Sequence, residues 1–353
     1  MTDLNSNWFQ FLQQQGACFA DAPGTDVLNF GADPALLGSS VDFLAPLTDL
    51  GLIESSGEEA GHFLHNQLTN DVEHLASTEA RLAGYCSPKG RLLATFLIWK
   101  SSDKLMLQLP CEIQQSVQNR LRMFVLRAKA KLTDVTADYA LLGLAGPAAT
   151  AALERWFPNL PAEPYAKAES DAGTLIRVAD ASGAARYQWI MGTELAQQVW
   201  PILIKTLQPV GAAAWRLANI RAAIPQITLA TQERFVPQML NYEVVGGLSF
   251  KKGCYPGQEI VARSQYLGKP KRRMMLASVT SLDAKAGMEV FSASDPEQTC
   301  GMIVNAEPSS PEEMDCLVEI RVAALGVGTI NLGLADGPAL NFRPLPYPLP
   351  DAA

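Results

Sequence analysis

The residues best suited to chemistry lie within nine positions, Lys251-Lys252-Gly253-Cys254-Tyr255-Pro256-Gly257-Gln258-Glu259. Cys254 supplies a nucleophile or a soft ligand, and the positive charge of Lys251 and Lys252 beside it favours the thiolate, the reactive form of cysteine. Gly253 and Gly257 shape the loop, because a residue without a Cβ can approach other backbone closely or take a left-handed conformation. The same composition also describes a tight turn into a helix opened by Glu259, with Cys254 as a buried, inert thiol, since unpaired cysteines are commonly buried. Residue types alone leave both readings open. Two other groupings are weaker. His62 and His65 stand three apart on a predicted helix, with His74 nearby, but no cysteine accompanies them and no metal site is expected. Gly246-Gly247 lacks the spacing of a phosphate cradle and reads as a turn.

Charge singles out the same stretch. Lys251 to Arg273 holds seven basic residues and one acid, net +6, which leaves −14 for the remainder of a chain whose total is −8. An acidic protein of this kind does not wrap a nucleic-acid backbone as a whole, yet Arg263, Lys269, Lys271, Arg272 and Arg273 form a candidate anion site. The six cysteines are scattered with no CxxC pair, which points away from disulfide or zinc frameworks and towards a reducing, cytoplasmic setting. No apolar run is long enough to span a bilayer, and a membrane partner is not expected.

At 353 residues with 48% hydrophobic composition, the chain has material for two to three cores. Residues 1–40 read as an arm, with Trp8, Phe9, Phe11 and Leu12 available to pack on a later unit. A first α+β unit, 41–140, comprises a strand at Leu50 to Ile53, a helix carrying Phe63, Leu64 and Leu68, and acids of Gly57-Glu58-Glu59 placed in that helix's first turn. A hairpin follows over Arg81 to Tyr85 and Leu92 to Trp99, turning at Ser87-Pro88-Lys89-Gly90, then a strand at Lys104 to Leu109. A helix then carries Ile113, Val117, Leu121, Phe124 and Val125 at helical spacing. A second α+β unit, 141–272, carries the cysteine loop. It has strands at Leu141 to Leu144, Leu175 to Val178 and Tyr187 to Ile190, and helices at Pro147 to Trp156 and Glu194 to Leu207. After Arg273 only short β-like runs occur, the pattern of a small C-terminal β-barrel over 273–353. Strands and helices mix without βαβ alternation, so the fold class is α+β.

The stretch GGLSFKKGCYPGQEIVAR resembles the signature of the YgfZ-type folate-binding proteins, K-G-C-Y-x-G-Q-E, with every fixed position matched from Lys252 to Glu259. Weaker similarity covers Phe63 to Val72, the turn at Pro88 to Arg91, Trp215 to Pro225 and Pro344 to Tyr347. The resemblance implies kinship with the tetrahydrofolate-dependent aminomethyltransferase of glycine cleavage, whose three domains form a ring around a folate channel. It implies a tetrahydrofolate ligand or a derivative, with Trp215 stacking on it and Tyr255, Gln258 and Glu259 beside it. Lys252 would raise the thiolate fraction of Cys254. It further implies a monomeric accessory protein that supports iron–sulfur enzymes or their assembly, and iron–sulfur-dependent tRNA modification, through Cys254. The basic residues would face a folate polyglutamate tail, a protein surface or tRNA. A sulfur or cluster contact, a redox step and a covalent folate adduct are all open to the thiol.

Departures from the relatives narrow the chemistry. The transferase's paired aspartates fall on Ala94 and Thr95, neither of which can serve as a carboxylate. Its pterin-recognising glutamate falls on Arg221, and a second family tryptophan is replaced by Leu50. The runner-up reading, a folate-dependent aminomethyltransferase or demethylase, therefore lacks its acid, since the nearest candidates, Asp71 and Glu259, are not at the transferase position.

Overall fold

The computed structural model describes residues 7–20, 26–31, 42–266 and 270–350. Helix α1 (Asn7–Gln14) buries Trp8, Phe9 and Leu12, the one stripe its spacing makes apolar. Strands β1 (Cys18–Phe19) and β2 (Val27–Asn29) make a two-stranded sheet, and β3 (Phe43–Pro46) follows.

A five-stranded antiparallel sheet comes next, ordered β5-β6-β7-β4-β8. Its strands are β4 (Leu50–Ser56), β5 (Ala80–Cys86), β6 (Leu92–Ser101), β7 (Lys104–Pro110) and β8 (Lys131–Asp134), with α2 (Ala60–His65) and α3 (Cys111–Val125) between them. The hairpin expected around Ser87 to Gly90 is β5 and β6. Glu58 and Glu59 precede α2 rather than occupying its first turn; Glu59 instead accepts the Lys129 backbone N–H at 2.6 Å. Phe124 is exposed, while Ile113, Val117 and Leu121 bury the inner stripe of α3.

The second sheet runs β10-β11-β12-β9-β3-β13. It contains β9 (Tyr139–Ala145), β10 (Lys167–Ser170), β11 (Gly173–Ala181), β12 (Ala184–Gly192) and the short β13 (Gln208–Pro209), which pairs in parallel with β3. Helices α4 (Pro147–Leu153) and α5 (Thr193–Leu203) cover its outer face together with α1, where Trp8 and Trp200 meet edge to face at 6.1 Å. The N-terminal stretch thus packs on a later unit, as its aromatic residues suggest. Helix α6 (Ala212–Arg221) brings Trp215 to the inner face.

After α7 (Gln258–Tyr266), a six-stranded antiparallel sheet is ordered β18-β15-β16-β17-β14-β19. It comprises β14 (Arg272–Val279), β15 (Glu289–Ser292), β16 (Asp295–Pro308), β17 (Met314–Arg321), β18 (Ile330–Leu332) and β19 (Leu340–Arg343). An Asn331–Ala339 bridge ties its edges, so the sheet curls around an apolar interior of Val290, Ile303, Cys316 and Val318. Among the described residues this part contains no α-helix, only the 3₁₀ turn Val322–Ala324.

The first sheet is covered on both faces, which is why β6 reads as a nearly unbroken apolar run. Ala94 and Ile98 pack towards α2 and α3, whereas Leu97 and Trp99 point at the second sheet, where Ile176, Val178 and Ile190 meet them. The candidate functional features lie in this inter-sheet layer and on the loop that carries Cys254.

Candidate functional site

Strand periodicity decides what the inter-sheet layer contains. On β12, Tyr187, Trp189 and Met191 face the outer core, so Arg186, Gln188 and Ile190 face the first sheet. Opposite them lie Thr95 on β6 and Gln108 on β7. Together with Leu50, Phe96, Tyr165, Trp215 and Tyr242 they line an inner chamber of about 80 Å³. Its residues Asn219, Ile224 and Gln226 also line an outer chamber of about 630 Å³, within the size range of small-molecule sites.

Arg186 is fully buried and, among the described residues, has no carboxylate partner. Its Nε donates to the Ala179 carbonyl and its Nη1 to Asn219 Oδ1, both at 2.9 Å, and its guanidinium lies 4.7 Å from the Trp215 ring centroid. Burial lowers its pKa to about 10. The Trp215 ring lies so close to Gly143 that a Cβ there would be 2.6 Å from it. Two further polar atoms, Gln108 Oε1 and Gln188 Oε1, are buried with no hydrogen-bond partner, although buried acceptors are normally satisfied. The inner chamber is therefore aromatic and carries unsatisfied acceptors.

The outer chamber is acidic. Among the described residues, Asp26, Asp49, Glu112, Asp134 and Glu307 line it with one cation, Arg216, which bonds Asp26 and Asp49 at 2.9 Å and also Glu307. Burial and the neighbouring acids push Asp26 and Glu307 above the usual carboxylate range, against the pull of Arg216.

The cysteine loop lies against the segment after α2. Thr69 donates to the Gly247 carbonyl at 2.7 Å, Ser249 N–H to the Thr69 carbonyl at 3.0 Å, and Asn70 to the Gly246 carbonyl at 2.7 Å. Lys252 is buried; its ammonium bonds the carbonyls of His65 and, at 2.7 Å, Leu68, and sits 4.8 Å from the Tyr255 ring centroid. Burial lowers its pKa to about 8, although the charges of Asp71 and Cys254 act in the opposite direction. Lys252 thus fastens the loop to the C-terminal end of α2 as well as placing positive charge near the thiol. Gly257 has φ +80°, and a Cβ on it would meet Ser87 O at 2.4 Å and Gly90 Cα at 2.6 Å. The turn of the first-sheet hairpin and the loop therefore touch backbone to backbone. Gly253 has no such constraint: the one neighbour within 4 Å of a Cβ there is His65 Nε2, at 3.8 Å.

Cys254 is exposed. Cys86, Cys300 and Cys316 are buried, and burial pushes Cys86 and Cys316 up to about 12. The structure thus separates Cys254 from the inert core thiols, and the buried-cysteine reading of the loop is the one it overturns.

Several expected site residues fall elsewhere. Tyr255 is buried beneath Lys252, and among the described residues Tyr255, Gln258 and Glu259 line neither of these two chambers, whereas Trp215 lines the inner one. Glu259 is exposed and pairs with Arg263 at 3.0 Å along one face of α7. Arg272 and Arg273 are corrected as anion ligands. Arg272 pairs with buried Glu319 of the neighbouring strand β17 at 3.1 Å, and Arg273, on the opposite face of β14 and buried, pairs with Glu243 and, at 3.0 Å, the Gln238 carbonyl, so both charges are already partnered. Lys271 is exposed, and Lys269 lies outside the described residues. Arg221 bonds Asp315 of the C-terminal sheet at 2.9 Å. Leu50 does line the inner chamber, and so does Thr95, whose hydroxyl accepts the Ile227 N–H at 3.0 Å.

Two stacked sheets with a chamber between them, closed by a curled C-terminal sheet, define an aminomethyltransferase-like protein. Residues 44–220 match the family model described as the GCVT N-terminal domain. The glycine cleavage system aminomethyltransferase T from Bartonella henselae has the same fold, with a TM-score of 0.78 at 16% identity over 96% of each chain. Within that class the nearer similarity is to tRNA-modifying protein YgfZ. The Colwellia psychrerythraea protein of that name is 31% identical over 243 residues, 68% of this chain and 73% of its own length. The one from Photorhabdus laumondii is 28% identical over 309 residues, 87% of this chain and 92% of its own. The chain belongs to the YgfZ family.

Proposed function

We propose that this protein is a folate-binding accessory factor in tRNA modification that supports iron–sulfur enzymes through Cys254. The observation that carries the reading is an exposed thiol on a loop held in place by the Gly257–Gly90 contact and the buried Lys252, in a protein whose chamber lacks the transferase's acid. The name of the relatives, tRNA-modifying protein, supports the tRNA side of it.

The inner chamber suits a flat heteroaromatic ring with N–H groups. Gln108 Oε1 and Gln188 Oε1 can accept from such an edge, and Trp215, Phe96 and Tyr165 supply apolar walls. Those features fit a pterin edge, with the remainder of a tetrahydrofolate in the outer chamber. Bound there, the folate supplies a one-carbon carrier; the protein supplies orientation and exclusion of water. Thr95 is committed to the Ile227 N–H and offers no carboxylate, which weighs against the aminomethyltransferase or demethylase alternative.

The test is complementation. A strain without its native homologue should recover tRNA thiolation with the wild-type gene and fail to with Cys254→Ala, while the purified variant keeps the wild-type melting temperature. Full rescue by Cys254→Ala removes the proposed role. Titration with tetrahydrofolate, followed by tryptophan fluorescence in wild type and Trp215→Ala, tests the pocket separately.

A further inference from the structure

Arg186 is the one charged side chain among the described residues that line the inner chamber, and it is only 1% exposed. It stands on β12 two residues before Gln188, so the two side chains leave the strand on the same face, towards the first sheet. A guanidinium carries five N–H groups and accepts nothing. Among the described residues two of the five are taken, by the Ala179 carbonyl and Asn219 Oδ1, which leaves three on the terminal nitrogens without a protein acceptor. Those two bonds and the Trp215 ring, 4.7 Å away, fix where the guanidinium sits. The field of Asp180 reaches it, but that carboxylate is bonded through both oxygens to Arg177, at 2.9 and 3.0 Å. With its pKa lowered only to about 10, Arg186 is still a cation at neutral pH. A buried cation with neither a counter-ion nor a full set of acceptors is costly, and a ligand atom that accepts from it relieves that cost.

The fixed polarity of this group is what can select a ligand. The carboxamides of Gln108 and Gln188 can turn to present either an oxygen or an amino group, and the Tyr165 hydroxyl can donate or accept. Arg186 can only donate. It favours an oxygen on the ring edge that enters the chamber and repels an amino group at the same place, where two sets of donors would face each other.

We propose that Arg186 is the specificity-determining residue of the inner chamber, admitting a pteridine that carries a ring oxygen and rejecting one that carries an amino group in its place. Gln108 and Gln188 take up the N–H groups beside that oxygen, and Trp215 is a positioning residue for the guanidinium through its ring face. The inference rests on the folate reading of the chamber and adds to it the residue that tells one folate-like ring from another.

The experiment is calorimetric titration of the full chain, under argon, with tetrahydrofolate and with tetrahydroaminopterin, which has an amino group where tetrahydrofolate has its ring oxygen. In wild type, tetrahydrofolate should bind roughly 10- to 100-fold tighter, the range of one charge-assisted hydrogen bond made or left unmade. Arg186→Met keeps a long side chain and removes the donors. It should weaken tetrahydrofolate by a similar factor and bring the two ligands to within about threefold of each other. A loosened fold would weaken both ligands alike and leave their ratio standing, so the ratio separates recognition from a structural role. Equal affinities in wild type overturn the proposal without recourse to any variant, and so does a preference that persists in Arg186→Met. If neither ligand binds wild type, the folate reading falls and this proposal with it, whereas binding without discrimination removes this proposal alone.

Discussion

The two glycines of the motif make different demands, and substituting each by alanine separates them. At Gly257 the backbone has φ +80°, and the added Cβ would meet three backbone atoms of the hairpin turn at 2.4 to 2.6 Å. None of these is a flexible side-chain end, so the loop and the turn must move apart. Left-handed backbone costs a residue with a Cβ about 1–2 kcal/mol, and forced overpacking adds about 1–3 kcal/mol. Stiffening of the unfolded chain returns about 0.4–1 kcal/mol. The expected net loss for Gly257→Ala is therefore about 1–5 kcal/mol. Gly253→Ala meets only a histidine edge at ordinary contact distance, and its effect should stay within about 0.5 kcal/mol. Differential scanning calorimetry of both variants measures this directly. If the 353-residue chain melts as one unit, with an unfolding entropy of about 0.7 kcal/mol/K, Gly257→Ala should lower the melting temperature by roughly 1–7 °C, with Gly253→Ala near wild type. Equal melting temperatures for the two variants would refute the backbone-contact argument.

Two further outcomes follow from the outer chamber. Arg216→Leu leaves Asp26, Asp49 and Glu307 facing one another, and breaking such a partly buried cluster should cost about 3–5 kcal/mol at pH 7. Acids whose folded pKa is raised contribute stability at low pH that is lost as pH rises through that value, so the variant's deficit should shrink as pH falls from 7 to 5; a pH-independent deficit in thermal melts counts against this cluster. Because five carboxylates line that chamber, lengthening a folate's anionic glutamate tail should bring no gain in affinity. A triglutamate binding about tenfold tighter than the monoglutamate in calorimetric titration would place the tail elsewhere.

Residue types and short-range spacing carried the sequence reading far. The match from Lys252 to Glu259 needed no structure, and neither did the hairpin on either side of Ser87 to Gly90 or the buried faces of α1 and α2, because periodicity and turn chemistry act over a few residues. The absence of a carboxylate at Ala94 and Thr95 is likewise a property of the sequence. Tertiary structure decided which polar groups meet water and which meet each other. Arg186 and Gln188 alternate with apolar residues as if they faced solvent, and are buried because a second sheet covers that face. The basic run ending at Arg273 looks like a cationic patch, but β14 turns Arg272 and Arg273 onto Glu319 and Glu243. His65 is brought to Lys252 and Gly253 by contacts between distant segments, which no local pattern encodes. The cysteine loop was legible as a motif; its exposure, its anchoring through Lys252 and its histidine neighbour are consequences of how the chain packs.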